Sequence, residues 1–208
     1  MKLQVLALCA AFVVPLPVAA QRQDVRLEAD WKFLRTDLPT PDAVGEGWQA
    51  VTVPHTWNAI DAANGLAPDP GLRDGYYRGP GWYERTLPAT TSLKERRVFV
   101  RFEAAAVVAD VFLNHQRLGQ HRGAFAAFAY ELTPQLKGDA PNVLRVRADN
   151  TRVADVPPLQ GDFSIFGGLY RPVHLLTTDA VCISPLEFGS SGVFLTTQAL
   201  GDEAALVD

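Results

Sequence analysis

A single carboxylate is set among bulky apolar residues in the run Gly161–Pro172, G-D-F-S-I-F-G-G-L-Y-R-P. Asp162 is that carboxylate, and Phe163, Ile165, Phe166 and Leu169 share the run with a Gly-Gly pair, a tyrosine and an arginine. Pro157 and Pro158 precede it, and an apolar stretch, Val173–Leu176, follows. A loop with a fixed path and one acid suits the gripping of a polar ligand. An ionised carboxylate accepts from hydroxyl donors, and charge-assisted bonds are the stronger kind. The competing reading is an Asx-turn or cap that closes the loop on itself.

Other chemistry-bearing residues are less clustered. Asp74-Gly75 reads first as a solvated turn. His55, His115, His121 and His174 show no metal-ligand spacing. His55 and His121 read as hydrogen-bonded structural residues. No serine lies in a nucleophile-elbow motif. Gly79 and Gly81 neither follow a strand nor open a helix, so no nucleotide loop is implied. Trp57 and Trp82 have the shape to stack on a ligand face, but aromatics between strand residues more often fill a core.

The elements that must position these residues are short and extended. Fifteen prolines and sixteen glycines punctuate the 208 residues and leave no room for long helices. Period-2 alternation marks strands at Arg97–Glu103 and Asn142–Asn150, the first with Val98, Val100 and Phe102 on one face. In the second, Leu144, Val146 and Ala148 point inward and Arg145 and Arg147 outward. Further strands are expected at Asp30–Leu34, Trp48–Val53, Trp82–Leu87, Val107–Asn114, Leu118–His121 and Tyr170–Thr178. Asn114–Arg117 is the turn between two of them, and asparagine tolerates the positive φ it needs. Thr133–Leu136 reads as one helical turn, with threonine as cap and proline first. The pattern predicts an all-β fold, an antiparallel sandwich or jelly roll.

Residues 1–20 read as a signal peptide: Lys2, an apolar stretch Leu3–Val14, then Val18-Ala19-Ala20 before the mature start at Gln21. The apolar stretch is too short for a bilayer, which needs about 20 residues. The expected location is secreted or periplasmic, with no membrane contact after cleavage. Cys182 is then the sole cysteine; it makes no internal disulfide and is expected to be a small buried hydrophobe. A net charge of −4 with interspersed signs leaves no basic stripe, and no nucleic-acid partner is expected. A boundary is expected near Ser184-Pro185, giving residues 21–184 and 185–208 as two units. In the second, Val193-Phe194-Leu195 is strand-like, and the apolar run at Ala205–Asp208 ends without a partner. An unpaired apolar edge invites aggregation, so the chain is read as the N-terminal piece of a longer protein.

Six motifs in order carry a resemblance: V-P-H-T-W-N (Val53–Asn58), Y-Y-R-G-P-G-W-Y-E-R (Tyr76–Arg85), R-F-E to V-A-D-V-F-L-N (Arg101–Asn114), L-G-Q-H-R-G-A-F-A-A-F (Leu118–Phe128), N-V-L-R-V-R-A-D-N (Asn142–Asn150) and D-F-S-I-F-G-G-L-Y-R-P-V (Asp162–Val173). Together they make residues 24–183 resemble the N-terminal sugar-binding domain of glycoside hydrolase family 2, the β-galactosidase and β-glucuronidase group. The chain departs from that pattern at Ala104, Ala124 and His115, where glycine is usual.

The resemblance implies a galactose-binding-like jelly-roll sandwich, followed by the first strands of an immunoglobulin-like one. It implies an exported, retaining glycosidase acting on terminal β-linked sugars, β-galactosidase-like, with β-glucuronidase, β-mannosidase and a non-catalytic carbohydrate-binding module as alternatives. Such an enzyme needs two carboxyls about 5–5.5 Å apart, placed by the family on a downstream barrel of ~250 residues. The chain has no Asn-Glu dipeptide and no room for that barrel, so it holds no catalytic residue and is expected to be inactive alone. Its part is one wall of the sugar pocket, with Asp162, then Asp74, then Asn64 as the candidate sugar ligands. Arg171 meets either a ligand carboxylate, which it matches bidentately, or a structural partner. No cofactor or metal site is expected in this piece; sodium or magnesium in the complete enzyme, and a homo-oligomer, are left open.

Overall fold

The computed structural model describes residues 22–59, 61, 72–73, 76–88, 95–157, 166–200 and 205–207. Residues 1–20, read above as a signal, lie outside that set.

The strands are β1 (Gln23–Arg26), β2 (Trp31–Leu34), β3 (Gln49–Val51), β4 (Leu72–Arg73), β5 (Tyr76–Tyr77), β6 (Pro80–Leu87), β7 (Arg96–Phe102), β8 (Val108–Leu113), β9 (Gln116–Arg122), β10 (Phe128–Glu131), β11 (Asn142–Asp149), β12 (Val173–Asp179), β13 (Thr197–Leu200) and β14 (Ala205–Val207). A four-stranded sheet, β1-β12-β7-β10, and a six-stranded sheet, β3-β2-β6-β11-β8-β9, form an antiparallel sandwich. The all-β expectation holds.

Alternation builds the core. Along β11, Asn142, Leu144, Val146 and Ala148 are buried, and the residues between them are half-exposed. They meet Val98, Val100 and Phe102 of β7, with Trp31, Tyr83 and Leu113 in the same cluster. Each such aliphatic or aromatic side chain, once buried, is worth about 1.5–3 kcal/mol.

Chain segments also cover part of each outer face. The excursion between β2 and β3 crosses the large sheet. There Arg145 bonds Glu84 at 2.7 Å and the carbonyls of Pro41 and Ala43, and Arg147 bonds Asp37 at 2.8 Å. Beneath it Trp82 is buried and stacks on Phe112. On the small sheet Phe99 and Leu176 are fully buried. Residues just past β12 lie against the same face, where Arg101 bonds the Gly189 carbonyl at 2.7 Å.

The β8–β9 hairpin closes through only two residues, Asn114 (φ 50) and His115 (φ 71), so β9 begins at Gln116 rather than Leu118. Positive φ at both positions is what a type I′ hairpin turn requires. The Asn114 amide braces it, donating to Gln135 O and Asn142 Oδ1 and accepting from Val143 N. His115 therefore stands where glycine is usual, in a turn held from its first residue.

Three local expectations change. Thr133 is not the cap of its 3-10 turn (Thr133–Gln135); Leu132 holds that position without a side-chain cap bond. The Thr133 hydroxyl instead accepts from Val98 N of β7 at 2.9 Å. Cys182 is half-buried rather than a core residue, because it lies past the end of β12 and beside Arg97 at 3.7 Å. Val193–Leu195 are exposed and form no strand; the strand lies at Thr197–Leu200 instead, and it gives the run at Ala205–Val207 the partner it was expected to lack.

Candidate functional site

Asp162, Asp74 and Asn64 lie outside the described residues. The structure places the chain on either side of each of them. Asp61 leads towards Asn64, Arg73 and Tyr76 flank Asp74 in the chain, and Val156 and Gly167 bracket the stretch holding Asp162.

These flanks are tied together by two buried asparagines. Asn58 follows the turn after β3, and Asn150 follows β11. The Asn58 Nδ2 donates to Asp61 Oδ2 at 2.5 Å and to the Tyr77 carbonyl at 3.0 Å. Its Oδ1 accepts from Gly167 N at 2.6 Å and from Asn150 Nδ2 at 3.2 Å. Two donors and two acceptor sites are all that an amide side chain has, so Asn58 is saturated. Asn150 accepts from Gly79 N at 2.8 Å and donates to the Tyr77 carbonyl at 3.1 Å. Asp61 Oδ2 also accepts from Tyr77 N at 3.1 Å. Asn58 is 2% exposed and Asn150 0%, so these bonds work in a low-dielectric setting where a missing partner is expensive.

Below this network lies a packed aromatic layer. Trp57 stacks on Phe33 at 5.5 Å and meets Tyr77 edge-on. The Gly167-Gly168 pair rests on that layer. A Cβ at Gly167 would enter the Trp57 ring, and one at Gly168 would sit 2.7 Å from the His55 carbonyl. Gly168 also has φ +113, a conformation L side chains rarely adopt. The pair is thus needed for close approach of the candidate loop to the sandwich. Leu169 is buried beside it, whereas Phe166 is half-exposed.

The remaining sequence candidates fall on the structural side. Trp57 and Trp82 are core residues. His55 Nδ1 and the Tyr83 hydroxyl are 2.8 Å apart; burial lowers the His55 pKa and raises that of Tyr83. His121 stacks on Phe128, and burial again lowers its pKa. Arg171 bonds the Phe125 carbonyl at 3.3 Å, with no carboxylate partner among the described residues, and lies over Tyr170. His174 sits between Asp24 at 2.6 Å and Glu103 at 3.3 Å. Among the described residues no three His, Cys, Asp or Glu side chains cluster as a metal site.

Two features were not singled out from the sequence. Asn58 and Asn150 stood at the ends of quoted motifs without a role, and only the fold brings them together. Arg78 lies between Tyr77 and Gly79, both bound into the network. Its Nη1 is buried and has no acceptor among the described residues.

The comparisons agree with the all-β fold. Residues 31–157 match the family described as glycosyl hydrolase 2 galactose-binding domain-like. The chain is 41% identical over 188 residues to a β-glucuronidase of Bacteroides fragilis, covering 90% of this chain and 25% of that protein. A β-galactosidase of Bacteroides ovatus is 29% identical over 195 residues, with 92% and 22% covered. Bacteroides uniformis β-glucuronidase 2, solved covalently bound to cyclophellitol-6-carboxylate aziridine, superimposes with a TM-score of 0.78 at 34% identity, covering 90% of this chain and 22% of that one. The chain spans about a quarter or less of the length of these relatives. By the match over residues 31–157, it belongs to the glycosyl hydrolase 2 galactose-binding domain-like family.

Proposed function

We propose that this chain forms the non-catalytic wall of the sugar pocket in an exported, retaining glycosidase that hydrolyses terminal β-linked sugars. The observation that carries the reading is the asparagine network. It binds Asp61, Tyr77 and Gly167 into one cluster, and the segments bearing Asn64, Asp74 and Asp162 leave from or return to those residues. Asp162 accepts sugar hydroxyls in this reading, with Asp74 and Asn64 beside it. The two carboxyls that retaining hydrolysis needs are supplied by a downstream barrel of the same protein. The chain alone therefore binds but does not hydrolyse.

Between the two substrate classes, a β-glucuronide is placed ahead of a β-galactoside. Arg78 favours it: a guanidinium at this end of the sandwich, with one buried nitrogen that has no acceptor among the described residues, suits the planar carboxylate of a uronic acid. The 41% identity to a β-glucuronidase points the same way. The test is turnover by the longer protein that carries this domain, with p-nitrophenyl β-D-glucuronide and p-nitrophenyl β-D-galactoside side by side. Faster glucuronide turnover is expected. Faster galactoside turnover would reverse the order, and turnover of neither would reject the glycosidase reading.

A further inference from the structure

The stretch from His55 to Asp61 faces β2 and β3 across a cleft of about 520 Å³, within the roughly 300–1,000 Å³ range of small-molecule sites. Exposed Ala59 and the half-buried His55 ring line it, over the buried Phe33 and Trp57. Its polar lining includes side chains on separate pieces of chain: Arg35 after β2, Gln49 on β3, and Thr56 and Asp61 beyond β3. Arg35 and Gln49 are exposed and accessible from solvent.

Asp61 is held by one oxygen only. Oδ2 takes both bonds, from Asn58 Nδ2 at 2.5 Å and Tyr77 N at 3.1 Å. Among the described residues Oδ1 receives no donor. The carboxylate is therefore oriented by the fold and retains acceptor capacity at the cleft. A fixed acceptor and two donor-bearing side chains in one cleft form the pattern that takes a compact ligand with hydroxyls on its rim. One cation and one anion line the cleft, so it favours a neutral ring over a charged one.

We propose that this cleft is a second sugar-binding site of the domain, specific for neutral pyranosides, with Asp61 and Gln49 as hydrogen-bonding residues. It goes beyond the pocket wall and does not depend on Asp162, Asp74 or Asn64.

The test is a titration of the ¹⁵N-labelled chain with methyl β-D-galactopyranoside, following the Trp57 indole and Gln49 side-chain amide signals by NMR. Both are expected to shift in a saturable manner. Gln49→Leu lies outside the asparagine network and should weaken binding about fivefold, the loss of one hydrogen bond. Asp61→Asn keeps an oxygen for the two fold-holding donors and replaces the other with a donor; it should weaken binding at least as much. If Asp61→Asn fails to fold, Gln49→Leu decides. Absence of saturable shifts in the wild type, or equal affinity in the Gln49→Leu chain, would overturn the proposal. Shifts confined to Gly167 and its neighbours, unaffected by Gln49→Leu, would also overturn it while leaving the pocket-wall reading intact.

Discussion

The Asn58 side-chain oxygen accepts the Gly167 amide hydrogen at 2.6 Å, across more than a hundred residues of chain. That one bond joins the turn after β3 to the loop in which Asp162 stands. It explains why a polar residue is buried at the end of a β-sandwich, and it makes Asn58 a positioning residue for the candidate sugar loop.

Removing that side chain should loosen the loop and the fold together. Asn58→Ala leaves the Gly167 N–H, the Tyr77 carbonyl and Asp61 each short of a buried partner. The expected cost is about 3 kcal/mol, or a fall of about 6–12 °C in melting temperature for a domain of this size. Thermal unfolding checks it; a change within about 1 °C would show that the network carries no stability.

The glycine pair gives a sharper contrast. Gly167→Ala drives a methyl into the buried Trp57 ring, which is stacked on Phe33 and has little freedom to yield. Overpacking of this kind costs about 1–3 kcal/mol. Gly138→Ala meets nothing within 4 Å and serves as the neutral control. Denaturant melts of the two variants should differ by that amount, with an altered Trp signal only in the first.

Acid sensitivity should appear in two steps. Burial lowers the pKa of His55 and of His121. Their unfolded forms take a proton near about pH 6.5 and the folded forms only at lower pH. The unfolded chain therefore binds more protons in that interval. Stability is full above about pH 6.5 and declines as pH falls through the interval, by at most about 1.4 kcal/mol per pH unit for each histidine. A second decline belongs to Asp37 and Glu131, whose pKa values are lowered chiefly by hydrogen bonds from Arg147 and Arg97. Those contributions are present above about pH 4.5 and lost below it. Urea melts across this range test both steps; constant stability between about pH 7.5 and 5 would contradict the histidine part.

The proposed contact of Arg78 with a uronate carboxylate is testable through KM. In the longer protein, Arg78→Gln should raise KM for an aryl β-glucuronide about tenfold or more, the loss of a charge-assisted bond, and leave the β-galactoside KM unchanged. Equal effects on both substrates would assign Arg78 to the scaffold.

Much of the sandwich was legible because its central strands alternate cleanly. Val98, Val100 and Phe102, and Leu144, Val146 and Ala148, announce one buried face each. β1 was missed because an edge strand of Gln-Asp-Val-Arg buries nothing and is held by pairing with β12. β10 was missed because it is short and follows an alanine-rich stretch without alternation. The candidate loop was visible through its Gly-Gly pair, but the reason for the pair was not, since the Trp57 ring it rests on lies over a hundred residues earlier. The asparagine network was illegible for a similar reason. Asn58 and Asn150 each look like turn residues until β11 and β6 pair and bring them within 3.2 Å.

The most direct test of the pocket-wall account is the steady-state turnover of the longer protein carrying Asp162→Asn, a nearly isosteric change. Loss of one charge-assisted hydrogen bond to the sugar predicts a fall in kcat/KM of about 10–150-fold, with an unchanged melting temperature. Unchanged kcat/KM on both the aryl β-glucuronide and the aryl β-galactoside would contradict the account.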